Sequence, residues 1–595
     1  MTEEIARGRE GFGSLRAHDG IYIDKTAYLK DFMLRCASKP GEGDAESAVM
    51  LFTRPRRFGK TLTLSMLESF FALNYQNPGD TSRAHKLFEG LAISEDKEFC
   101  RLHLGQYPVI SISLKEIEGS SFTRAMSEFF SLMRRLYDSF SFLSESKALT
   151  ATDKILFQKM LDTAKITEFD AWLDSNNAGA CQMIEDSLLD LTGFLEKVYG
   201  RKVIVLVDEY DVPLQKAKVG GYYQEMLEVV RGMFGKVFKT NKSLLLGVVT
   251  GCLRISRESI FTGINNFTVF STFDVEYRDF IGFTKKETQA LLKDQGLSAY
   301  EPMVMDWYDG YNFSGASMLC PWSVLMFCKR ALRTPADQQV LPQNFWANTS
   351  GNDIIEICLK RRDARDSERL QNLLDGGTEL IDFPEYTTYP ELDEHSSLDT
   401  MLGMMLQTGY VTAVNVTPDK KVEVKIPNKE VWDCFEQKTR LIFGKENPQW
   451  LSAAYSLKDT LFLGDADKAQ SVINTMLLNF VSVRDYSYES FYHGFLLGVL
   501  SITADSSLHL ASNQESGKGF SDITLSHQLN KRAVIIELKK LSPDEEADAL
   551  CAAALKQIEE CRYAYPFEQK GYEIFKYGIA FLGKECRVVK GRRGD

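Results

Sequence analysis

Two patterns of apolar and polar positions divide this chain. Toward the C-terminus, Leu508 to Glu515, Phe520 to His527 and Ala533 to Lys540 each read as a strand, and Ser516-Gly-Lys-Gly519 and Gln528-Leu-Asn-Lys531 supply the turns. Side chains alternate faces along a strand, so Glu537 and Lys539 point the same way, and Asp522 on the preceding strand can lie across from them. A helical stretch, Glu489-Ser-Phe-Tyr-His-Gly-Phe-Leu-Leu-Gly-Val499, precedes this meander. Another, carrying Gln557 and Tyr563, follows it, with an N-cap, an early proline and early acids in Ser542-Pro-Asp-Glu-Glu546. In the N-terminal half the pattern changes to unbroken apolar runs. Ala48-Val-Met-Leu-Phe-Thr53 and Leu244-Leu-Leu-Gly-Val-Val-Thr250 read as buried strands, and Lys202-Val-Ile-Val-Leu-Val207 delivers Asp208 and Glu209 at its end. Buried parallel strands carry acids to their C-terminal edge in this way, where open α/β sheets bind ligands.

Between these halves, residues 275 to about 355 look mainly helical, with Thr284-Lys-Lys-Glu287 as a capped helix start. A helix through Thr400-Met-Leu-Gly-Met-Met-Leu-Gln407, then a hairpin around Thr417-Pro-Asp-Lys420, fits a winged-helix-like element. It lacks an Arg-rich recognition helix, so a spacer or a surface between copies of the chain is favoured over DNA reading. The stretch from Asp375 to Asp399, rich in acids, Gly, Ser and Pro, reads as a connector. The expected architecture is an α/β multidomain protein. It comprises a phosphate-loop nucleotide-binding domain with a parallel sheet (1–280), a helical lid (281–355), the winged-helix-like region (356–440) and a C-terminal α/β domain (441–595) that, on Asp522 and the Glu537–Lys539 pair, resembles restriction endonucleases and is expected to be restriction-endonuclease-like.

The chemistry follows from which residues these elements bring together. Asp522 and Glu537 supply two carboxylates for a hard divalent cation such as Mg²⁺ or Mn²⁺, and Lys539 can orient a water or stabilise a pentavalent oxyanion. An exposed ion pair on an edge strand is the plainer account of Glu537 and Lys539 taken alone. In the N-terminal half, a strand, the loop Arg54-Pro-Arg-Arg-Phe-Gly-Lys-Thr61 and a helix make an anion cradle. Lys60 would reach the β and γ phosphates of ATP, next to Gly59, and the Thr61 hydroxyl and Asp208 would hold Mg²⁺, with Glu209 polarising a water. Arg54 stands where the phosphate-loop pattern has its first glycine; it could change the turn, while Arg56 and Arg57 could contact phosphate or a nearby nucleic-acid strand. Thr250 is placed like a sensor residue, and Arg254 could contact the γ-phosphate, although ordinary loop chemistry fits both equally well. Asp24-Lys25-Thr26 could cover the base or ribose, and His493 shares a helix face with Glu489, more as a structural histidine than as a ligand.

The meander resembles the PD-(D/E)XK nuclease superfamily, with Asp522 as the motif aspartate and Glu537 and Lys539 as the (D/E)XK pair. The resemblance implies a further acidic metal ligand at Glu489 and a glutamine contribution from Gln557. One departure is Gly519-Phe-Ser-Asp522, which lacks the proline before the aspartate. Over nearly its full length the chain is similar to a bacterial AAA-ATPase-like family with such a C-terminal domain. The phrases that carry this are Tyr22-Ile-Asp-Lys-Thr26, Phe52-Thr-Arg-Pro-Arg-Arg-Phe-Gly-Lys-Thr-Leu62, Val207-Asp-Glu-Tyr-Asp211, Thr250-Gly-Cys-Leu-Arg-Ile-Ser256, Trp307-Tyr-Asp-Gly-Tyr311 and Lys425-Ile-Pro-Asn-Lys-Glu430. In that family the arginine at position 54 is the usual form of the loop.

Composition narrows the classes without choosing among them. A chain of 595 residues exceeds one core. It lacks an apolar run of about 20 residues and a signal-peptide core, so a cytoplasmic protein with no membrane partner is expected. Its 11 cysteines include no Cys-x-x-Cys pair, which indicates neither a zinc site nor a disulfide framework. A net charge of −12 argues against a broadly basic coat but leaves room for a local groove. The expected function is an ATP-regulated, metal-dependent nuclease acting on DNA or RNA, in defence or mobile-element biology. The alternative is a nucleotide-dependent switch whose C-terminal domain binds nucleic acid or protein without cleaving it.

Overall fold

The computed structural model describes every residue except 1–10, 19, 37–47, 164–168, 240, 254–266, 336–339, 347–354, 356–363, 375, 384–395, 436–437, 439–447, 481–488, 502, 504–507, 517–518, 528–529, 542–544 and 592–595. The chain forms two compact units: Met1–Asn348 with Leu380–Val431, and Thr349–Glu379 with Trp432–Asp595. The 281–348 stretch therefore belongs to the N-terminal unit, and the 356–440 stretch is shared between the two.

The apolar runs of the N-terminal unit become a five-stranded sheet of β1 (Ala48–Thr53), β2 (Val109–Ser113), β3 (Val203–Asp208), β4 (Leu244–Gly251) and β5 (Phe267–Phe270), in the order β2-β3-β4-β1-β5. All its pairings are parallel. Every residue of β3 and β4 is buried, as a sheet covered on both faces requires. β4 lies between β1 and β3, so the ends of these three strands are neighbours. Phe52 pairs with Thr250 and Val207 with Val249.

Beyond the sheet, the helix Lys285–Asp294 starts with a capping box between Thr284 and Glu287, as its Thr-Lys-Lys-Glu pattern predicts. This region is less helical than expected. β6 (Phe283–Thr284), β7 (Asp309–Phe313) and β8 (Ala316–Leu319) form a small antiparallel sheet. The β7–β8 turn is a local signal available in the sequence, since Ser314 and Gly315 both take positive φ, 45° and 87°. β9 (Glu379–Ile381) is the third strand of another sheet, ordered β10-β11-β9. Here the helix Leu398–Thr408, closed by left-handed Gly409, leads into the hairpin of β10 (Thr412–Val416) and β11 (Val422–Lys425).

In the C-terminal unit the three expected strands form a meander of β12 (Leu508–Ser516), β13 (Gly519–His527) and β14 (Arg532–Lys540). β15 (Glu573–Leu582) joins β14 in parallel, after a crossover through the helix Ala547–Glu560, and β16 (Glu585–Lys590) closes the other edge. Strand parity builds the two faces. Val534, Ile536 and Leu538 enter a core with residues of the helices Pro448–Leu463, Ala466–Phe480 and Glu489–Ser501. Ile535 packs instead with Ile558 and Tyr563 beside the Ala547–Glu560 helix. Glu537 and Lys539 share parity with Ile535, so they fall under that helix.

A close helix–strand approach sets this geometry. Gly578 pairs with Glu537 across the β14–β15 ladder, and a Cβ on it would lie 2.3 Å from the Cys551 carbonyl oxygen. Gly578→Ala is expected to lower the stability of the C-terminal unit by about 1–3 kcal/mol through overpacking, read as a shifted denaturant midpoint.

Candidate functional site

The end of β1 turns directly into a helix. Gly59 is the N-cap of Lys60–Phe71 with φ 97°, a left-handed conformation that favours glycine. A Cβ there would meet nothing within 4 Å, so backbone conformation rather than space is the constraint. The Lys60 ammonium donates to the carbonyls of Arg54 (2.9 Å) and Pro55 (3.0 Å) and lies 3.3 Å from Cys252 Sγ. The Thr61 hydroxyl donates to Asp208 Oδ2 at 2.5 Å, while the Thr250 hydroxyl donates to Asp208 Oδ1. The topology thus brings Thr61, Asp208 and Thr250 together, because the strand between β1 and β3 carries the bridging threonine. A threonine hydroxyl beside a carboxylate is an oxygen donor set that fits a hard cation.

Glu209 follows with φ 52°, an uncommon conformation for a residue with a side chain. Burial, and then the neighbouring Asp208 charge, raise its carboxyl above the ordinary glutamate range, while Lys60 and Lys115 oppose the rise. Tyr210 and Asp211 act where the sequence reading assigned no role. Asp211 Oδ2 accepts the backbone N–H groups of Cys252 and Leu253 at 3.1 and 3.0 Å, and the Tyr210 hydroxyl donates to the Leu253 carbonyl at 2.7 Å. They hold the segment leaving β4. Their signal in the sequence is the second half of the Asp-Glu-Tyr-Asp motif.

Arg54 departs from its expected place among the nucleotide-binding residues. Its side chain is wholly buried, and its guanidinium donates to the carbonyls of Thr53 and Phe270 at 2.9 Å and of Tyr277 at 2.7 Å. Burial lowers it to about 10, opposed by Asp274 and Asp279. Arg54 fastens the loop to β5 and the Tyr277 segment instead of facing a phosphate. Arg57 donates to the Phe345 carbonyl and lies over the Trp322 ring, 5.1 Å from its centroid. Arg254 lies outside the described residues. The Asp24-Lys25-Thr26 motif is engaged in fastening: Lys25 donates to the Asp279 carbonyl and to Glu287 Oε1, both at 2.6 Å, and Asp24 accepts from Thr26 and Ala92.

In the C-terminal unit, the Leu538 N–H donates to Asp522 Oδ2 at 2.7 Å, which places Asp522 against the Glu537–Lys539 segment. Lys539 Nζ reaches Glu537 Oε1 at 3.3 Å and Gln557 Oε1 at 2.9 Å, and Gln557 Nε2 donates to the Tyr563 hydroxyl at 3.3 Å. Glu537 is only 2% exposed, so it is not part of an exposed ion pair, and among the described residues its buried Oε2 has no hydrogen-bond partner. An orphaned carboxylate oxygen beside a second carboxylate is a donor set that a divalent cation would complete. Burial, and then the Asp522 charge, push the Glu537 carboxyl up to about 7. Glu489 opens the helix Glu489–Ser501, but its side chain lies outside the described residues. Among the described residues no group of three or more His, Cys, Asp or Glu side chains gathers as a metal cluster. His493 Nε2 donates to the Asp522 backbone carbonyl at 2.9 Å, supporting the strand rather than facing a metal.

Two predictions follow from this geometry. Removal of the guanidinium in Arg54→Ala strands three carbonyls, so N-terminal-unit stability should fall by roughly 3 kcal/mol in denaturant unfolding; weakened nucleotide affinity with unchanged unfolding would restore a phosphate role. For Glu537, folding favours the protonated form because its folded value is above the unfolded one. In chelator, stability relative to Glu537→Gln should therefore decline as pH rises from the ordinary glutamate value to about 7, then level off. Unfolding curves at stepped pH would measure it.

Residues 7–261 match a family model described as AAA-ATPase-like, a predicted AAA-ATPase, and residues 487–591 match that of the PD-(D/E)XK nuclease superfamily. An "Uncharacterized protein in vnfD 5'region" of Azotobacter chroococcum mcd 1 is 22% identical over 601 residues, covering 99% of this chain and 98% of that protein. No solved structure matches. The parallel sheet and the mixed C-terminal sheet agree with the two matches: this chain carries a predicted AAA-ATPase-like domain at its N-terminal side and a PD-(D/E)XK nuclease-superfamily domain at its C-terminal side.

Proposed function

We propose that this chain is an ATP-binding, ATP-regulated nuclease that hydrolyses phosphodiester bonds in DNA or RNA. The observation that carries the reading is the buried Glu537 Oε2, without a hydrogen-bond partner among the described residues, beside Asp522, Lys539 and Gln557. Asp522 and Glu537, with Glu489 as a third acid, would hold Mg²⁺ or Mn²⁺. Bound there, the cation supplies Lewis-acid neutralisation of the phosphodiester and a more acidic water. Gln557 holds the Lys539 ammonium toward Glu537, and from there Lys539 orients the attacking water or stabilises the developing oxyanion. A carboxyl raised to about 7 gives Glu537 a protonation state that shifts near neutrality, so cation and proton compete for it.

In the N-terminal unit, Lys60 neutralises the β and γ phosphates, Thr61 and Asp208 hold the accompanying cation, and Thr250 fixes the Asp208 carboxylate. Glu209 would polarise a water. ATP hydrolysis is part of the proposal. The Leu398–Thr408 helix and its hairpin are read as a winged-helix-like element, and 281–355 as a helical lid, both answering to nucleotide. Among the described residues no helix is long and apolar enough to cross a membrane, and a cytoplasmic setting is proposed.

The test is cleavage of labelled single- and double-stranded DNA and RNA with Mg²⁺ or Mn²⁺, with and without ATP. Wild type should cleave at least one substrate. Lys539→Ala should lose cleavage by roughly 10²–10³-fold, the usual scale for removing an oxyanion-stabilising group. Lys60→Ala should abolish the dependence on ATP. If wild-type protein free of contaminating nuclease cleaves nothing while ATP still alters its assembly, the reading gives way to a nucleotide switch that binds without cutting.

A further inference from the structure

The phosphate loop is held by segments that lead out of its unit. Pro55 packs on Gly409, whose φ is 93° and where a Cβ would come within 2.7 Å of Pro55 Cβ. Phe58 meets Tyr311 edge-on at 5.0 Å, and the Tyr311 hydroxyl donates to the Gly409 carbonyl at 3.1 Å. Arg57, itself left-handed at φ 66°, donates to the Phe345 carbonyl and is stacked on Trp322. The Phe345 N–H in turn donates to Glu430 Oε1 at 2.8 Å, and Asn344 Nδ2 donates to the Glu430 carbonyl at 3.0 Å. Glu430 is 1% exposed, and burial pushes its carboxyl up to about 7.

The chain connectivity gives this relay its meaning. The N-terminal unit's first segment ends at Asn348, three residues beyond Phe345, and its second ends at Val431, the residue after Glu430. The Phe345–Glu430 hydrogen bond therefore clamps together two segments just before each passes into the C-terminal unit. Buried, hydrogen-bonded contacts of this kind shift between discrete arrangements rather than stretching.

We infer that Glu430 is a positioning residue that transmits the state of the phosphate loop, through Arg57 and Phe345, to the two chain crossings that enter the nuclease-superfamily unit. The inference deepens the ATP-regulated reading and rests on it. Rearrangement of the loop around phosphate moves Arg57, and with it the Phe345 carbonyl. Glu430, fixed to the N–H of that same residue, carries the displacement to Val431 and Trp432. A merely structural Glu430 would affect stability without separating ATP binding from the ATP response.

Hydrogen–deuterium exchange on the full chain, with and without ATP, tests this at residues 341–346 and 432–435 beside direct titration of ATP. In wild type, ATP should change exchange in both segments. Glu430→Ala should bind ATP with unchanged affinity yet reduce the response at 432–435 roughly fivefold or more, the lower end of ordinary allosteric couplings. Glu430→Gln keeps an acceptor for the Phe345 N–H and should retain the response. Asn344→Ala, which loosens the same clamp without touching the carboxylate, serves if Glu430→Ala fails to fold, with the same loss expected. A wild-type response persisting in full in these loosened variants would overturn this inference alone. Absence of ATP binding in wild type would overturn both it and the ATP-regulated reading.

Discussion

The Asp208 carboxylate organises the phosphate-loop end of the N-terminal sheet. Its two oxygens accept from hydroxyls on two different elements, Thr61 at the start of the loop's helix and Thr250 at the end of β4. Thr250 can share the carboxylate with Thr61 because β4, which carries it, lies next to β3 in the sheet. A carboxylate held by two charge-assisted hydrogen bonds keeps its orientation. Glu209, next along the chain, is thereby turned into its left-handed conformation at a defined place. Arg54 and Asp211 extend the order outward by the same means. The arginine satisfies carbonyls on the β5 side, and the aspartate satisfies N–H groups after β4. The loop is fastened from both sides.

The C-terminal site depends on a different constraint, the parity of a single strand. β14 sends Val534, Ile536 and Leu538 into one core and Ile535 into the other. The acid and the lysine two residues apart must then emerge on the face covered by the crossover helix. Close approach at Gly578 sets that helix near the strand, and Gln557 meets Lys539. The cost is a carboxylate oxygen with no partner among the described residues, an arrangement that stability alone would select against.

Much of this was legible in the sequence, and the limits have physical causes. Unbroken apolar runs identified β1, β3 and β4, and alternation with turn residues identified the meander from β12 to β14, because both patterns report burial directly. The capping box at Thr284 and Glu287 was legible because it is local. Arg54 was misplaced because an arginine in a phosphate loop suggests an anion, whereas its guanidinium satisfies carbonyls on strands distant in sequence. The β7–β8 hairpin was lost in a stretch read as helical, although Ser314 and Gly315 carried a turn signal. The bridging role of Thr250 toward Asp208 needed the strand order, which no local pattern contains. Arg254 and the Glu489 side chain lie outside the described residues.

The two halves of the chain need not be coupled by a surface between them. The covalent path returns to the N-terminal unit and leaves it again, so the Leu380–Val431 segment is tethered at both ends to residues of the other unit. Pro55 packs on this segment at Gly409, and Arg57 reaches it through Phe345 and Glu430. On the proposed reading, a change at the phosphate loop would reach Val431 through Arg57, Phe345 and Glu430, a route that needs only described contacts and the backbone. The arginines of the loop have structural work of their own: of three, Arg54 fastens the loop to the sheet and Arg57 fastens it to the Phe345 segment.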